Sequence, residues 1–146
     1  MPATGSRYDP YGNYNFLIEI DNISRGAFQE VSGLESTIEV IEYREGGDTS
    51  ITRKLPGRAS FGNLTLKRGV TDDVELYEWH KTVRDGGTDR RNGSIVQLDR
   101  NREEVARWNF REGWITKLTG PDFKAEGNEI AIETVEIVHE GLERVT

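Results

Sequence analysis

The stretch from residue 63 to residue 87 joins a strand pattern to the only long helical pattern in the chain. Leu64 and Leu66 alternate with polar residues, which is the period of a strand with one buried face. Beyond Gly69 the residues of one helical stripe are Leu76, Trp79, His80 and Val83. The chain must therefore build a largely β structure against which a single amphipathic helix packs.

Polar residues and glycines mark the two ends of the predicted helix. Asp72 is placed to accept hydrogen bonds from backbone N–H groups of the first turn, and Glu75 completes a variant of the capping box. Gly86 and Gly87 supply the C-terminal stop. These signals predict that the helix lies between the two.

Two apolar residues lie off the helical stripe. Val74 falls on the opposite side of the helix, and Tyr77 lies on its flank. An apolar spot outside the core stripe is typical of contact with another chain, so both residues are candidates for an inter-subunit contact. Ordinary packing of a wide stripe is the alternative explanation.

Alternating apolar residues predict seven or eight strands around this helix. The predicted strands cover residues 14–21, 27–32, 35–44, 64–67, 94–99, 104–111, 114–118 and 129–139, with Gly113 separating two of them. This pattern predicts one domain over residues 1–146 with a mainly β fold, a barrel or sandwich with one flanking helix. The expected core includes Phe16, Ile18, Leu64, Leu66, Leu76, Trp79, Trp108 and Ile132.

The predicted strand over residues 35–44 is apolar on both faces. Ile38 and Val40 point to one side, and Ile41 and Tyr43 point to the other. Both faces should be at least partly covered, and in a small acidic domain this indicates that one face meets a neighbour. Ile41 and Tyr43 are therefore further inter-subunit candidates.

Residues 45–57, EGGDTSITRKLPG, follow this strand and are predicted to form an extended loop. The segment is too long and too rich in glycine for a simple hairpin turn, and loops of this length in compact domains are usually functional or disordered. We predict an interaction loop that becomes ordered on contact. Residues 1–8 are small and polar, and are predicted to be flexible.

Composition excludes several classes of protein. The net charge of −7 argues against a nucleic-acid scaffold, because phosphate binding needs a basic face. The absence of cysteine excludes disulfides and thiolate metal sites, and fits assembly in a reducing cytoplasm. No apolar run has the length of a membrane span, and the first residues lack the apolar region of a signal peptide.

The sequence shows no recognisable catalytic or cofactor-binding cluster. His80 lies on the helical stripe, where packing is the simpler role, and His139 ends the last predicted strand without a ligand-spaced partner. Neither a nucleophile elbow nor a phosphate-binding glycine loop is present. We therefore expect a protein that is not an enzyme and that uses no metal or cofactor.

Four stretches together resemble a known family. They are YNFLIEID at 14–21, the Gly33-Leu34-Glu35 link, LKRGVTDDVELYEWH at 66–80 and GNEIAIETVEIVHEGLE at 127–143. They resemble the tail-tube proteins of contractile phage tails and of extracellular contractile injection systems, with the haemolysin-coregulated tube proteins of type VI secretion as more distant relatives. The resemblance covers nearly the whole chain, from about Tyr11 to the end.

The resemblance implies two packed antiparallel sheets with a flanking helix, forming a barrel-like sandwich. It also implies homohexameric rings stacked into a tube inside a sheath, with baseplate or spike proteins and tube-terminating proteins at the ends and DNA or an effector as cargo. The subunit would be made and assembled in the bacterial cytoplasm, without stable membrane insertion. On the family pattern the loop contacts the next ring through Glu45, Gly46, Gly47, Asp48, Thr49, Ile51, Arg53 and Lys54.

A monomeric β-sandwich that binds carbohydrate is the competing class. Such a module would expose Trp108 and Trp114 on one flat face with polar residues between them. Trp108 instead alternates with Ala106 and Phe110, which favours a core position.

Overall fold

A computed structural model of the chain describes residues 11–12, 14–23, 28–44, 46–47 and 51–146. These residues form nine strands and one helix. The strands are β1 (Phe16–Ile20), β2 (Phe28–Ser32), β3 (Ser36–Tyr43), β4 (Arg53–Phe61), β5 (Leu64–Gly69), β6 (Arg91–Leu98), β7 (Glu104–Thr119), β8 (Ile132–Val138) and β9 (Gly141–Arg144). The helix α1 (Glu75–Arg84) lies between β5 and β6.

The strands form two antiparallel sheets, and neither sheet is closed. The larger has the order β1-β6-β7-β8-β5-β2, with β9 also paired to β7, and the smaller consists of β3 and β4 alone. The predicted mainly β fold with one flanking helix is confirmed. The residues of the core are mainly aliphatic, with Trp79 and Phe110 among them. The helix α1 packs mainly against β7.

Strand β7 is continuous for 16 residues, whereas the sequence predicted two strands separated at Gly113. Its first half pairs with β6 and β9, and its second half pairs with β8. Glu112 has a φ of 53°, and a Cβ added to the buried Gly113 would lie 2.7 Å from the Phe110 ring. The predicted separation was therefore wrong, because the strand continues through a bulge formed by left-handed Glu112 and the register shift between Phe110 and Gly113.

The helix begins and ends much as its stripe predicts, with one correction at the start. Asp73, not Asp72, contacts the first turn, accepting a hydrogen bond from the backbone N–H of Glu75 at 2.9 Å. At the other end Gly86 has a φ of 96°, a left-handed conformation that glycine adopts without steric strain, and the helix ends there. Leu76 and Trp79 are fully buried, so the predicted stripe does face the core.

Most of the predicted core is confirmed. Ile18, Leu64, Leu66, Leu76 and Trp79 are buried, and Phe16 packs against them while partly exposed. Trp108 is only half-buried, and Ile132 lies on the face of β8 opposite Val135 and Ile137, which are the core residues of that strand. The prediction for Ile132 was wrong because the start of the alternation in β8 was assigned to the wrong face.

Arg68 is a charged residue among the buried positions of β5. It shares the inward face of that strand with Leu64 and Leu66. Its Nε atom donates to Glu133 of β8 at 2.6 Å, and a second nitrogen lies 3.6 Å from the Asp73 carboxylate. A buried charge is tolerated when it is paired in this way. Arg68 thereby ties the start of the helix to the sheet.

Strand β4 was not predicted, and it occupies the second part of the predicted loop. Residues 53–57 belong to β4, and residues 53–56 pair with β3, so the extended loop over residues 45–57 is wrong from Arg53 onward. The Pro56 and Gly57 pair gives a loop signal in sequence, but the register of the hairpin shifts there, and β4 has a partner on one side only. Proline and glycine are tolerated at a bulge in an edge strand.

Candidate assembly surface

The β3–β4 hairpin carries several exposed large apolar side chains. All eight residues of β3 are solvent-exposed in the single chain. The exposed fractions of its large apolar side chains are 57% for Ile38, 60% for Val40, 47% for Ile41 and 49% for Tyr43. A two-stranded sheet is marginally stable in water by itself, so such a hairpin needs a partner surface.

Pairing across the hairpin sorts these side chains onto two faces. Ile41 lies opposite Leu55 on one face, and Val40 lies opposite Pro56 on the other. Leu55 is itself exposed. The two apolar faces predicted for this strand are therefore both present, and the described part of the chain covers neither of them.

The predicted inter-ring residues fall into three groups. Gly46 and Gly47 are exposed in a turn beyond β3, and Ile51 is exposed just before β4. Arg53 and Lys54 are exposed within β4, paired with Tyr43 and Glu42. The remaining three lie outside the described residues, and they are Glu45, Asp48 and Thr49. The predicted flexible segment, residues 1–8, also lies outside them.

The hairpin joins the rest of the molecule at a crowded root, which we define as residues 33–36 and 61–63. Gly33 has a φ of 94°, and a Cβ there would collide with the carbonyl oxygen of Asn63. A Cβ on Gly62 would collide with the carboxylate of Glu35. Gly33 requires glycine because of its positive φ and the backbone against it, whereas at Gly62 the Glu35 side chain would have to move to make room for a Cβ.

His139 contacts this root from the turn between β8 and β9. Its Nε2 atom lies 3.0 Å from the carbonyl oxygen of Gly62, and its ring lies between Phe61 and Phe110. No pattern in the sequence indicated this contact, because His139 and Gly62 are 77 residues apart. The role of His139 was therefore missed.

The exposed side of the helix carries the other two inter-subunit candidates. Val74, immediately before α1, is 53% exposed, and Tyr77 is 46% exposed. Neither belongs to the buried core, so the alternative of ordinary wide-stripe packing does not describe them in the single chain.

The outer face of the larger sheet carries an ion-pair cluster around Arg107. Arg107 lies 2.7 Å from Glu104 and 3.4 Å from Glu19. The hydrogen bond from Arg107, aided by its charge, lowers the pKa of the Glu104 carboxyl against a small opposing effect of burial. The pKa of Arg107 is raised by the same contacts. The cluster is a solvated ion pair and has no nucleophile or ligand set beside it.

The described residues offer no cluster of metal ligands. They contain no group of three or more His, Cys, Asp or Glu side chains placed to hold a metal ion. Nδ1 of His80 forms a hydrogen bond with the carbonyl oxygen of Ile115 at 3.0 Å. Within the same part of the chain, no helix is long and apolar enough to cross a membrane.

The flat aromatic face that a carbohydrate-binding module needs is not formed by the two tryptophans. Trp108 is half-buried with the Arg144 guanidinium over its ring at 5.3 Å, and Trp114 packs against the core. The geometry therefore favours an assembly surface over a sugar-binding face.

Comparison with known proteins identifies a family and similar structures. Residues 12–143 match the family described as T4-like virus tail tube protein gp19. Comparison with curated proteins finds no match. The fold is similar to a chain in the cryo-EM structure of the sheath–tube complex of PVC, an extracellular contractile injection system, in its extended state, with 27% identity and a TM-score of 0.84 over 93% of this chain and 91% of that one.

Two further structures extend the comparison. A chain in the cryo-EM structure of the PVC sheath/tube terminator in the extended state has 26% identity and a TM-score of 0.88, over 97% of this chain and all of that one (100%). Hcp1 from Flavobacterium johnsoniae shares the fold with a TM-score of 0.57 and 16% identity, over 88% of this chain and 93% of that one. With the family match spanning nearly its whole length, this chain belongs to the T4-like tail tube protein gp19 family.

Proposed function

We propose that this protein is the inner-tube subunit of a contractile tail or injection particle, and that its copies form hexameric rings that stack into a conduit. The observation that carries the proposal is the β3–β4 hairpin, which is apolar on both faces and exposed along all of β3. Similarity to chains of sheath–tube, baseplate and terminator complexes supports a sheath and end-capping proteins as partners.

The hairpin has enough apolar surface to drive assembly when many copies act together. Covering a side chain such as Ile41 or Val40, about half of which is exposed, contributes about 1 kcal/mol. Several such side chains in each copy, repeated around a ring, give a cooperative contact although each one is weak. Pairing with a neighbour would also protect the free edge of β4.

The segment beyond β3 is the proposed contact between rings. It comprises Glu45, Gly46, Gly47, Asp48, Thr49, Ile51, Arg53 and Lys54. Its mixed charges suit pairing across a ring boundary, and exposed pairs of this kind contribute about 0–1 kcal/mol each. Ile41, Tyr43, Val74 and Tyr77 are the proposed contacts between subunits, since all four are exposed in the single chain.

The proposed tube is a passive conduit for DNA or an effector protein. Membership of a tube-protein family supports a structural role. In this proposal another component supplies the energy for movement, and the subunit is made and assembled in the cytoplasm.

The hairpin faces are tested by electron microscopy of paired variants in negative stain. Ile41→Ser with Leu55→Ser removes two exposed apolar side chains from one face, and Ile38→Ser with Val40→Ser removes two from the other. Thr37→Ser is the matched control on the same strand. We expect folded subunits without tubes from each double variant and normal tubes from the control. Wild-type tubes from both double variants would overturn the proposal.

The inter-ring segment needs a separate variant. Replacing residues 45–52 by a shorter Gly-Ser linker keeps Arg53 and Lys54 in β4 and removes the rest of the segment. Isolated rings without tubes are the expected product. Tubes of normal length would show that this segment does not hold rings together.

A further inference from the structure

We propose that a second copy of this chain covers an apolar patch, which we call the far-end patch and define as Val70, Val74, Phe123 and Ile130. The β3–β4 hairpin of that copy makes the contact, so the two copies join head to tail. The inference rests on the proposed function and deepens it, because it names the surface that the hairpin contacts.

The far-end patch lies where β5 ends beside the loop between β7 and β8. The backbone N–H of Val70 donates to the carbonyl oxygen of Ala131 at 2.9 Å, and a Cβ on Gly69 would lie 3.7 Å from the side chain of Ile130. Phe123 and Ile130 belong to this loop and are 84% and 72% exposed, which no other described large apolar side chain exceeds. Exposed apolar groups that lie together mark contact with another macromolecule.

The start of the helix adds Val74 to this patch. Arg68 of β5 donates to the carbonyl oxygen of Asp73 at 3.2 Å, which holds the residue before Val74 at the same end of the strand. Tyr77 follows three residues later on the same side of the helix and is also exposed. The two inter-subunit candidates near the helix therefore belong to one surface with the loop.

The far-end patch and the hairpin root lie at opposite ends of β5. The root ends at Asn63, and β5 then runs for six residues to Gly69. This separates the two ends by about 17 Å. Beyond the root, β3 and β4 contact mainly each other, and the hairpin and the patch are both exposed in the same chain. Each copy thus offers two different surfaces, and a contact between different surfaces can repeat from copy to copy.

The hairpin is the segment of this chain best suited to cover the patch. Ile41 and Leu55 are paired on one of its faces, and about half of each side chain is exposed. The segments outside the described residues contain only two large apolar side chains, Met1 and Tyr8. A second copy therefore supplies more apolar surface than the rest of the same chain can.

The charges of the two surfaces are complementary. Residues 70–78 contain four acidic residues and no basic one, and residues 120–131 contain three acidic residues and one basic residue. Strand β4 contains Arg53, Lys54 and Arg58 and no acidic residue, since the glutamates of the hairpin strands lie on β3. Opposite charges favour contact between β4 and the patch, and like charges disfavour contact between two patches.

Introduced cysteines test the contact in assembled protein, because the chain has no cysteine of its own. Leu55→Cys with Ile130→Cys puts one thiol on each surface, so a short bismaleimide should join the copies into a ladder of dimers, trimers and longer chains on a denaturing gel. Thiols held close together react at a high effective concentration, so the yield should exceed that of either single variant by at least about tenfold. Leu55→Cys with Asn101→Cys is the matched control, because Asn101 is exposed in the turn before β7 and the patch loop follows the other end of that strand.

A second pair of variants tests the patch without crosslinking. Phe123→Ser with Ile130→Ser removes its two most exposed side chains, so we expect folded subunits that form no tubes in negative stain. Val145→Ser is the control, since this side chain is exposed outside both surfaces and its loss should leave normal tubes.

The outcomes separate the head-to-tail contact from the proposed function. Tubes that give no more ladder from the patch pair than from the Asn101 control would overturn the contact and leave the proposed function standing. A crosslink within one copy, or normal tubes from Phe123→Ser with Ile130→Ser, would overturn it as well. Wild-type protein that forms neither rings nor tubes would refute the proposed function and the contact together.

Discussion

Arg68 and Lys67 are adjacent basic residues of β5 whose removal should have very different costs. The Arg68 side chain is 5% exposed and pairs with Glu133, whereas Lys67 is 44% exposed and pairs with Glu30 at 3.2 Å on the other face. We compare Arg68→Met with Lys67→Met, since methionine keeps much of the apolar stem in both and removes only the charged end.

The expected cost follows from the groups that Arg68 leaves behind. Removing Arg68 takes away the partner of the Glu133 carboxylate, which is 18% exposed. It also removes the donor to the carbonyl oxygen of Asp73, which Arg68 reaches at 3.2 Å. Breaking a buried pair by removing one partner costs about 3–5 kcal/mol, and the partial exposure of Glu133 favours the lower end. Lys67→Met breaks an exposed pair and should cost about 0–1 kcal/mol.

Urea unfolding followed by tryptophan fluorescence measures both costs. It is done at one protein concentration, because self-association stabilises the folded state by mass action. A loss of about 3 kcal/mol also lowers the melting temperature by roughly 6–12 °C in a chain of this size. Arg68→Met combined with Glu133→Leu should recover part of the loss, since the double variant no longer contains the unpaired Glu133 carboxylate, although the carbonyl oxygen of Asp73 still lacks its donor. Equal losses for the two single variants would refute the reasoning.

Three further changes test other parts of the structure. Trp79→Ala should lower the free energy of unfolding by about 3–5 kcal/mol, because the side chain is 1% exposed, and an unchanged urea midpoint would contradict its core position. Arg107→Gln should raise the pKa of Glu104 toward its ordinary value, as followed by carboxyl NMR titration. In wild type the pKa of Glu104 is lowered, so the pair stabilises the fold at pH values above the ordinary pKa of the carboxyl. This contribution is lost as the pH falls through the lowered pKa. Gly33→Ala should cost roughly 2–4 kcal/mol through backbone strain and collision with Asn63, and wild-type stability would show that the root can relax.

Local patterns in the sequence were enough to predict helices and strands that are defined by residues a few positions apart. The helical stripe of Leu76 and Trp79 and the alternation of β5 depend on neighbours a few residues away, and both are confirmed. The two apolar faces of β3 could be predicted in the same way. That both are exposed could not, because exposure depends on how the remaining strands pack.

The features that the sequence did not predict depend on distant residues. Strand β4 contains a proline and a glycine, and only pairing with β3 makes them compatible with a strand. Strand β9 is four residues long with a single large apolar side chain, Leu142, so its alternation is too short to recognise. Arg68 lies in the core because Glu133, 65 residues later, neutralises it there.

The length of β7 has a mechanical consequence. A force along this strand is carried in shear by the hydrogen bonds to β6 and β9 in its first half and to β8 in its second, so many bonds share the load at once. One register shift spans the bend between Phe110 and Gly113, and a second between Ile115 and Lys117 follows it, so both ladders are interrupted there. Under compression along β7, the two halves therefore remain stiff, and the strand yields first at that bend.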